Sequence, residues 1–150
     1  IYTFNFFNKI FIGDSGSYLL GFFFSIFLIN FYAYNQQLSP FYIILLLWYP
    51  AFETLFSMVR KNILNRSPMK PDINHLHQLI FYYIKKRYFK TVLLANLISA
   101  HTINMYNFII FLVATHFLSN TQVQIILILL NLTIYTVIYF KLFILRYKKI

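Results

Sequence analysis

Four long apolar runs divide the 150-residue chain. The first covers about Ser17 to Tyr34 (SYLLGFFFSIFLINFYAY) and the second about Phe41 to Val59 (FYIILLLWYPAFETLFSMV). A third covers about His101 to Leu118, and a fourth about Gln122 to Phe143. Each approaches the ~20 helical residues that cross the hydrocarbon of a bilayer. Helices are the expected element, because a spanning backbone must satisfy its own N–H and C=O groups. Barrel strands would appear as short alternating segments, and these runs are uniformly apolar. The pattern predicts an all-α, polytopic integral membrane helical bundle with about four transmembrane helices.

A long polar loop, about residues 60–90, separates the second and third runs. Within it Leu76, Leu79, Ile80 and Tyr83 recur at helical spacing, with Gln78, Tyr82, Lys85 and Lys86 mostly on other faces. This predicts a short amphipathic helix at the membrane surface, its basic end (Lys85, Lys86, Arg87) meeting anionic head groups. The stretch from Tyr88 to Ala100 reads equally as an extension of the third helix or as an interfacial segment. No internal repeat or linker breaks the chain, so residues 1–150 read as a single membrane domain.

Composition strengthens this reading. The chain is 60% hydrophobic and only 11% charged, against roughly 25% charged in a soluble domain. Its net charge of +10 does not indicate nucleic acid, because the basic residues stand in blocks between apolar runs rather than along a solvated face. All thirteen Lys and Arg fall at Lys9, in the loop from Arg60 to Lys90, or in the tail from Lys141 to Lys149. The turns at 35–40 and 119–121 carry none. With four spans the three basic regions share one side, which the positive-inside rule makes cytoplasmic. The absence of cysteine excludes disulfides and thiolate metal sites. The chain begins with Ile1, lacks a signal-peptide pattern and enters a motif within a dozen residues, which predicts that an N-terminal portion is missing.

Acidic residues number three: Asp14, Glu53 and Asp72. Asp14 lies in IFIGDSGS at the mouth of the first span, and Asp72 lies in SPMKPDINHLH of the long loop. Sidedness places both, with His75 and His77, on the same face. The pattern suits metal-assisted handling of phosphate. Mg²⁺ is commonly held by one or two carboxylates, with water and phosphate oxygens filling its other positions. Gly13 and Gly16 permit close approach of a phosphate to the backbone. Ser15 and Ser17 offer hydroxyls at a helix start whose free N–H groups favour an anion. Lys70, His75 and His77 add donors. Each piece also has a plain structural reading: a Gly/Ser/Asp cluster before a helix is often a turn and cap. Residues i and i+2 do not share a helix face, so His75 and His77 converge only from a loop or a distorted helix start. A zinc site is not supported by two histidines without a third ligand. Glu53, inside the second span, is either a functional intramembrane carboxylate or a hydrogen-bond partner of a neighbouring helix.

Taken in order, three segments resemble the polyprenyl-phosphate N-acetylhexosamine-1-phosphate transferases. KIFIGDSGSYLLGF (9–22) is similar to that family's K-I-F-x-G-D-x-G-S/A segment leading into a span. YPAFETLFSMVRK (49–61) is similar to the span descending to the cytoplasmic loop, and SPMKPDINHLHQLI (67–80) to the P-D-x-x-H-x-H motif of that loop. The resemblance covers about Asn5 to Ile84 and identifies the chain as the C-terminal part of such an enzyme, in a bacterial inner membrane. It implies transfer of N-acetylhexosamine 1-phosphate from a UDP-N-acetylhexosamine, such as UDP-N-acetylglucosamine, to undecaprenyl phosphate. The products are a lipid-diphosphate sugar and UMP, at the initiation of a cell-envelope polysaccharide. It further implies Mg²⁺ on Asp14 and engagement of the donor diphosphate by His75 and His77. Gly13, Ser15, Gly16, Ser17, Lys70 and Asp72 would line the substrates. Lys9 and Asn5 are secondary positions, Asn5 falling one place short of the family's asparagine. The single residue between the histidines separates the chain from the peptidoglycan-precursor branch, which has three consecutive histidines. The family's upstream aspartate pair has no counterpart here, so the chain alone is expected to be inactive. The competing reading from another class is a transporter or channel subunit with Glu53 as its coupling residue.

Overall fold

The computed structural model describes residues 13–65, 67, 72–88 and 91–147, and every regular element among them is a helix. Asn5, Lys9 and Lys70 lie outside the described residues.

Helix α1 (Gly13–Tyr34) covers the first apolar run. Gly13 opens it with a φ of +68°, a left-handed conformation that a residue without Cβ adopts at little cost. Leu28 is its one buried residue among those described, and Phe22, Phe23 and Phe27 are exposed. Such a face is tolerable only in apolar surroundings.

The second apolar run departs from expectation. It forms two helices, α2 (Pro40–Leu46) and α3 (Trp48–Ile63), bent by 68° at Leu47. The cause is Pro50, which has no N–H for the Leu46 carbonyl and whose ring would clash with it. Regular bonding resumes with Ala51 N–H donating to the Leu47 carbonyl at 3.2 Å. The start of α2 is well specified: Pro40 takes the first turn, and Ser39 Oγ accepts from the Phe41 N–H at 3.3 Å. At the other end Asn65 adopts φ 51° after α3 closes, a left-handed conformation that asparagine tolerates.

Helix α4 (Leu76–Arg87) is the expected amphipathic helix, but its apolar face turns inward. Leu76, Leu79 and Ile84 are buried, and the helix packs on α5 (Val92–Thr115) and α6 (Thr121–Tyr147). The apolar stripe is thus covered by the bundle rather than by lipid. Val92–Ala100 extends the third span, which decides the question the sequence left open. Among the described residues α1, α5 and α6 are each long and apolar enough to cross a membrane, and the bent pair α2–α3 makes a fourth if taken as one span.

Helix α6 turns polar side chains inward and apolar ones outward. On α6, Gln124, Asn131, Tyr135 and Tyr139 are fully or almost fully buried, while Ile126, Leu129, Val137 and Phe140 are exposed. Gln124 Nε2 donates to the carbonyls of Ala114 (3.0 Å) and Phe117 (2.8 Å), and Tyr106 donates to Asn131 Oδ1. Trp48 Nε1 donates to Asn107 Oδ1 at 2.9 Å. Where lipid removes the hydrophobic incentive for helices to associate, packing and polar contacts join them. The two uncharged turns also meet: Ser39 N–H donates to the Leu118 carbonyl at 2.8 Å, and Ser39 Oγ lies 3.1 Å from Thr121 Oγ1.

Candidate functional site

The site grows from a polar stripe on α3. Glu53, Ser57 and Arg60 recur at i, i+4 and i+7, so a helix of 3.6 residues per turn aligns them on one face. The bend at Leu47 precedes them. Opposite stand Tyr135 and Tyr139, one turn apart on α6. The segment 72–76 folds back between these two stripes and is tied to both.

Asp72 is the first tie. Its Oδ2 accepts from Arg60 Nη2 and from Ser57 Oγ (2.9 Å), and its Oδ1 from the Asn74 N–H (3.0 Å). Burial alone would push this carboxyl up. The Asn74 N–H, the Ser57 hydroxyl and the Arg60 guanidinium outweigh it, with His75 adding, and hold Asp72 below the usual carboxylate range. Arg60 Nη1 also donates to the Asn74 carbonyl at 2.7 Å and to the Tyr139 hydroxyl. Asn74 is pinned from the other side, its Oδ1 accepting from Arg146 (3.0 Å) and from the Tyr147 hydroxyl (2.9 Å). Arg146 donates to the Ile73 carbonyl at 2.6 Å and lies 4.0 Å from the centre of the Tyr82 ring.

Glu53 is the second tie. Oε1 accepts from the Leu76 N–H at 3.0 Å and lies 2.9 Å from His75 Nδ1. Oε2 accepts from the Tyr135 hydroxyl at 2.8 Å. A carboxylate with 11% side-chain exposure is thereby supplied with the donors that burial demands.

These ties present the histidines. His75 is the N-cap of α4, in extended backbone (φ −70°, ψ 151°), and its N–H donates to Gln78 Oε1 at 3.3 Å. An extended N-cap followed by the first helical turn brings i and i+2 together, which a regular helix does not. The His75 and His77 rings stack with centroids 5.6 Å apart and planes inclined by 11°. Burial pushes the His77 imidazole below its ordinary value; Glu53 opposes the shift and His75 adds to it.

Asp14 stands apart. It is exposed in the first turn of α1, and no hydrogen bond or ion pair joins it to the histidine loop among the described residues. Gly13, Ser15 and Gly16 surround it in sequence. The Ser17 hydroxyl donates back to the Gly13 and Asp14 carbonyls (3.0 and 2.9 Å), so its proton serves the helix start. Among the described residues no group of three His, Cys, Asp or Glu side chains forms a metal cage. Glu53 and Asp72 are engaged internally, whereas Asp14 is exposed. A Mg²⁺ ion there would have one carboxylate, with water and phosphate oxygens completing its shell.

The sequence reading did not select Ser57, Arg60, Asn74, Tyr135, Tyr139 or Arg146. A signal was present in two places: the Glu53–Ser57–Arg60 spacing, and the polar series Gln124, Asn131, Tyr135, Tyr139 along an otherwise apolar run.

Comparison with known proteins gives three relatives. The chain is 35% identical over 86 residues to the undecaprenyl-phosphate alpha-N-acetylglucosaminyl 1-phosphate transferase of Thermotoga maritima, covering 57% of this chain and 28% of that one. It is 38% identical over 77 residues to a probable undecaprenyl-phosphate N-acetylglucosaminyl 1-phosphate transferase of Bacillus subtilis, covering 50% and 21%. It is 38% identical over 81 residues to the decaprenyl-phosphate N-acetylglucosaminephosphotransferase of Mycolicibacterium smegmatis, covering 46% and 20%. The matched regions thus span between a fifth and somewhat over a quarter of each relative's length. No protein-family profile matches the chain, and no solved structure gives a significant match.

Proposed function

Over about half its length this chain is a homologue of polyprenyl-phosphate N-acetylglucosamine-1-phosphate transferases, and from that relationship we propose that the whole protein is such a transferase. The reaction moves N-acetylhexosamine 1-phosphate from a UDP-sugar to undecaprenyl phosphate in a bacterial inner membrane. The loop of residues 60–90 and the C-terminal tail face the cytoplasm, in keeping with their positive charge. The sequence relationship carries this reading. The folded loop supports it by holding two imidazoles stacked together. A transport role for Glu53 finds no support in the relatives.

The chemistry makes modest demands on the protein. An oxygen of the lipid phosphate attacks the sugar-bearing phosphorus of the donor, and the bond to the UMP oxygen breaks. A phosphomonoester has a second pKa near ~6, so the acceptor is largely dianionic at neutral pH and needs no strong base. Positioning and charge stabilisation then supply most of the catalysis. His75 and His77 would engage the donor diphosphate, with Lys70 as a further donor. The buried Arg60–Asp72 pair keeps the loop in place. The α1 N-terminus, with Gly13, Ser15 and Gly16, would approach phosphate through backbone N–H groups. Asp14 would hold Mg²⁺, which when bound supplies positive charge against the phosphates.

The test is UMP release from UDP-N-acetylglucosamine by the whole protein in membranes, with and without undecaprenyl phosphate and Mg²⁺. Release that requires both lipid and magnesium is expected, and Asp14→Asn should abolish it while leaving membrane insertion intact. No release with any UDP-N-acetylhexosamine, from folded and inserted protein, would overturn the assignment. Magnesium-dependent turnover retained in Asp14→Asn would remove Asp14 from the metal role.

A further inference from the structure

A recess of about 160 Å³ opens between α4 and the C-terminal end of α6. Lys86 from one helix and Arg146 from the other line it, with Tyr82, Tyr83, Leu142 and Leu145 as its walls. Neither cation has an acidic partner among the described residues. The chain holds three acids: Asp72 is paired with Arg60, Glu53 with His75, and Asp14 belongs to α1. Arg146 is nonetheless held in place. Its Nη1 donates to the Ile73 carbonyl at 2.6 Å and to Asn74 Oδ1 at 3.0 Å, and its guanidinium carbon lies 4.0 Å from the centre of the Tyr82 ring. These partners are neutral, so they orient the side chain and leave its charge uncompensated. Both bonds use Nη1, and neither Nη2 nor Nε has a hydrogen-bond acceptor among the described residues.

Size and depth decide what such a recess receives. It is smaller than the roughly 300–1,000 Å³ of pockets that enclose a whole small molecule. A nucleotide sugar does not fit inside it, but a phosphate group whose other parts lie outside does. Helix α6 has 27 residues, which at ~1.5 Å each makes about 40 Å. The hydrocarbon of a bilayer is about 30 Å thick, and roughly 40–45 Å with its head groups. With Thr121 at the opposite, uncharged turn, the last turn and Arg146 reach the head-group layer. Ile144 and Leu145 beside Arg146 are exposed, and Tyr82 and Tyr147 flank it as interfacial aromatic residues do. The C-terminal ends of α4 and α6 each add roughly half a negative charge, which two full positive charges exceed.

We propose that this recess seats the phosphate of an anionic membrane phospholipid, held by Lys86 and Arg146, with the acyl chains lying along the apolar surface of α6. Basic pockets between transmembrane helices receive such head groups. This seat differs from the diffuse attraction expected of Lys85, Lys86 and Arg87 as a basic run. It requires a cation from α6, and it singles out Lys86 from its neighbours. A lipid in it bridges α4 to α6 beside the point where Arg146 pins Asn74. The proposal requires that α6 end in the head-group layer and does not rest on the transferase reading.

The experiment is native mass spectrometry of the whole protein released from nanodiscs of equimolar phosphatidylglycerol and phosphatidylcholine. Phosphatidylglycerol should be retained in preference. Lys86→Gln should lower that retention about fivefold, the attraction of one cation near the membrane surface. The Lys86 side chain is exposed and makes no ion pair with a described residue, so this variant should melt as the unaltered protein does. Lys85→Gln removes the same charge from the same helix but outside the recess, and should leave retention unchanged. Lys86→Gln combined with Arg146→Gln should abolish the preference. Equal losses in Lys85→Gln and Lys86→Gln would reduce the effect to diffuse attraction and overturn the proposal. So would unchanged retention in Lys86→Gln, even if Arg146→Gln fails to fold, or no preference over phosphatidylcholine. Displacement of phosphatidylglycerol by inorganic phosphate, or by a lesser amount of undecaprenyl phosphate, would give the recess to another phosphate and overturn it as well. No step depends on UMP release, so this proposal and the transferase reading fail separately.

Discussion

Replacing Asp72 by Asn removes the counter-charge of a guanidinium whose side chain is only 12% exposed. Arg60 keeps the Asn74 carbonyl at 2.7 Å and the Tyr139 hydroxyl, but those neutral acceptors do not balance its charge. Breaking a buried pair from one side costs about 3–5 kcal/mol. Because Asn retains one oxygen for a hydrogen bond, the low end, about 3 kcal/mol, is the expected loss. The cost should fall on the 72–76 turn, since Asp72 also accepts from the Asn74 N–H at 3.0 Å. At roughly 1.4 kcal/mol per tenfold, the open population of that turn should rise more than about 100-fold. Hydrogen exchange at the Leu76 amide reads this directly, because it is bonded to the Glu53 side chain of α3, which the open turn would leave. Arg60→Met should open the turn similarly. The pair Arg60→Met with Asp72→Leu should restore much of the protection, since two apolar groups leave no buried charge. An increase below about tenfold in Asp72→Asn, or additive losses in the double variant, would refute the claim that this pair holds the loop.

Acidification should loosen the same turn in two stages. His77 is held below its ordinary value of about 6.5, so the stability from its neutral form is complete above about 6.5 and is lost as pH falls through the folded-state value. Asp72 is also held low, so its contribution is complete above the ordinary carboxylate value of about 3.9 and is lost below that. Leu76 amide protection, corrected for intrinsic exchange, should fall first below about pH 6.5 and again below about pH 4; a single acid step would remove His77 from the coupling. Asn131→Leu takes away the acceptor of Tyr106 and should cost under about 1.7 kcal/mol in a detergent melt, because interhelical hydrogen bonds in membranes are modest; a larger loss would mean Asn131 is needed for more than that contact. Pro50→Ala supplies the missing N–H to the Leu46 carbonyl and should reduce the 68° bend toward the ~20° limit of ordinary helices. Distances between spin labels on introduced cysteine pairs, convenient in a cysteine-free chain, would detect it, and an unchanged bend would show that tertiary contacts rather than proline make the break.

Much of the fold follows from residue type in sequence. Uniform apolar runs of spanning length, with basic residues confined to alternate connections, point to a helical membrane bundle, because lipid leaves the backbone few alternatives. The helix of residues 76–87 was legible from its period; that His75 and His77 could meet only from a non-helical start was legible too, but not that they do. The bend at Leu47 had its cause in plain sight at Pro50. A continuous apolar run nevertheless reads as one span, since hydropathy does not register the lost hydrogen bond.

Partnership was decided in three dimensions. The periodicity of α4 marked an apolar stripe, but burial of Leu79 against α5 and α6, instead of lipid, depends on where those helices stand. Asp72 and Glu53 were visible as rare acids. Nothing in the order of residues assigns Arg60 to one, 12 positions away, or Tyr135 to the other, 82 positions away. A sequence shows which side chains carry charge or hydrogen. Which ones neutralise each other is set by distance and desolvation, and these arise only when α3, the motif loop and α6 pack together.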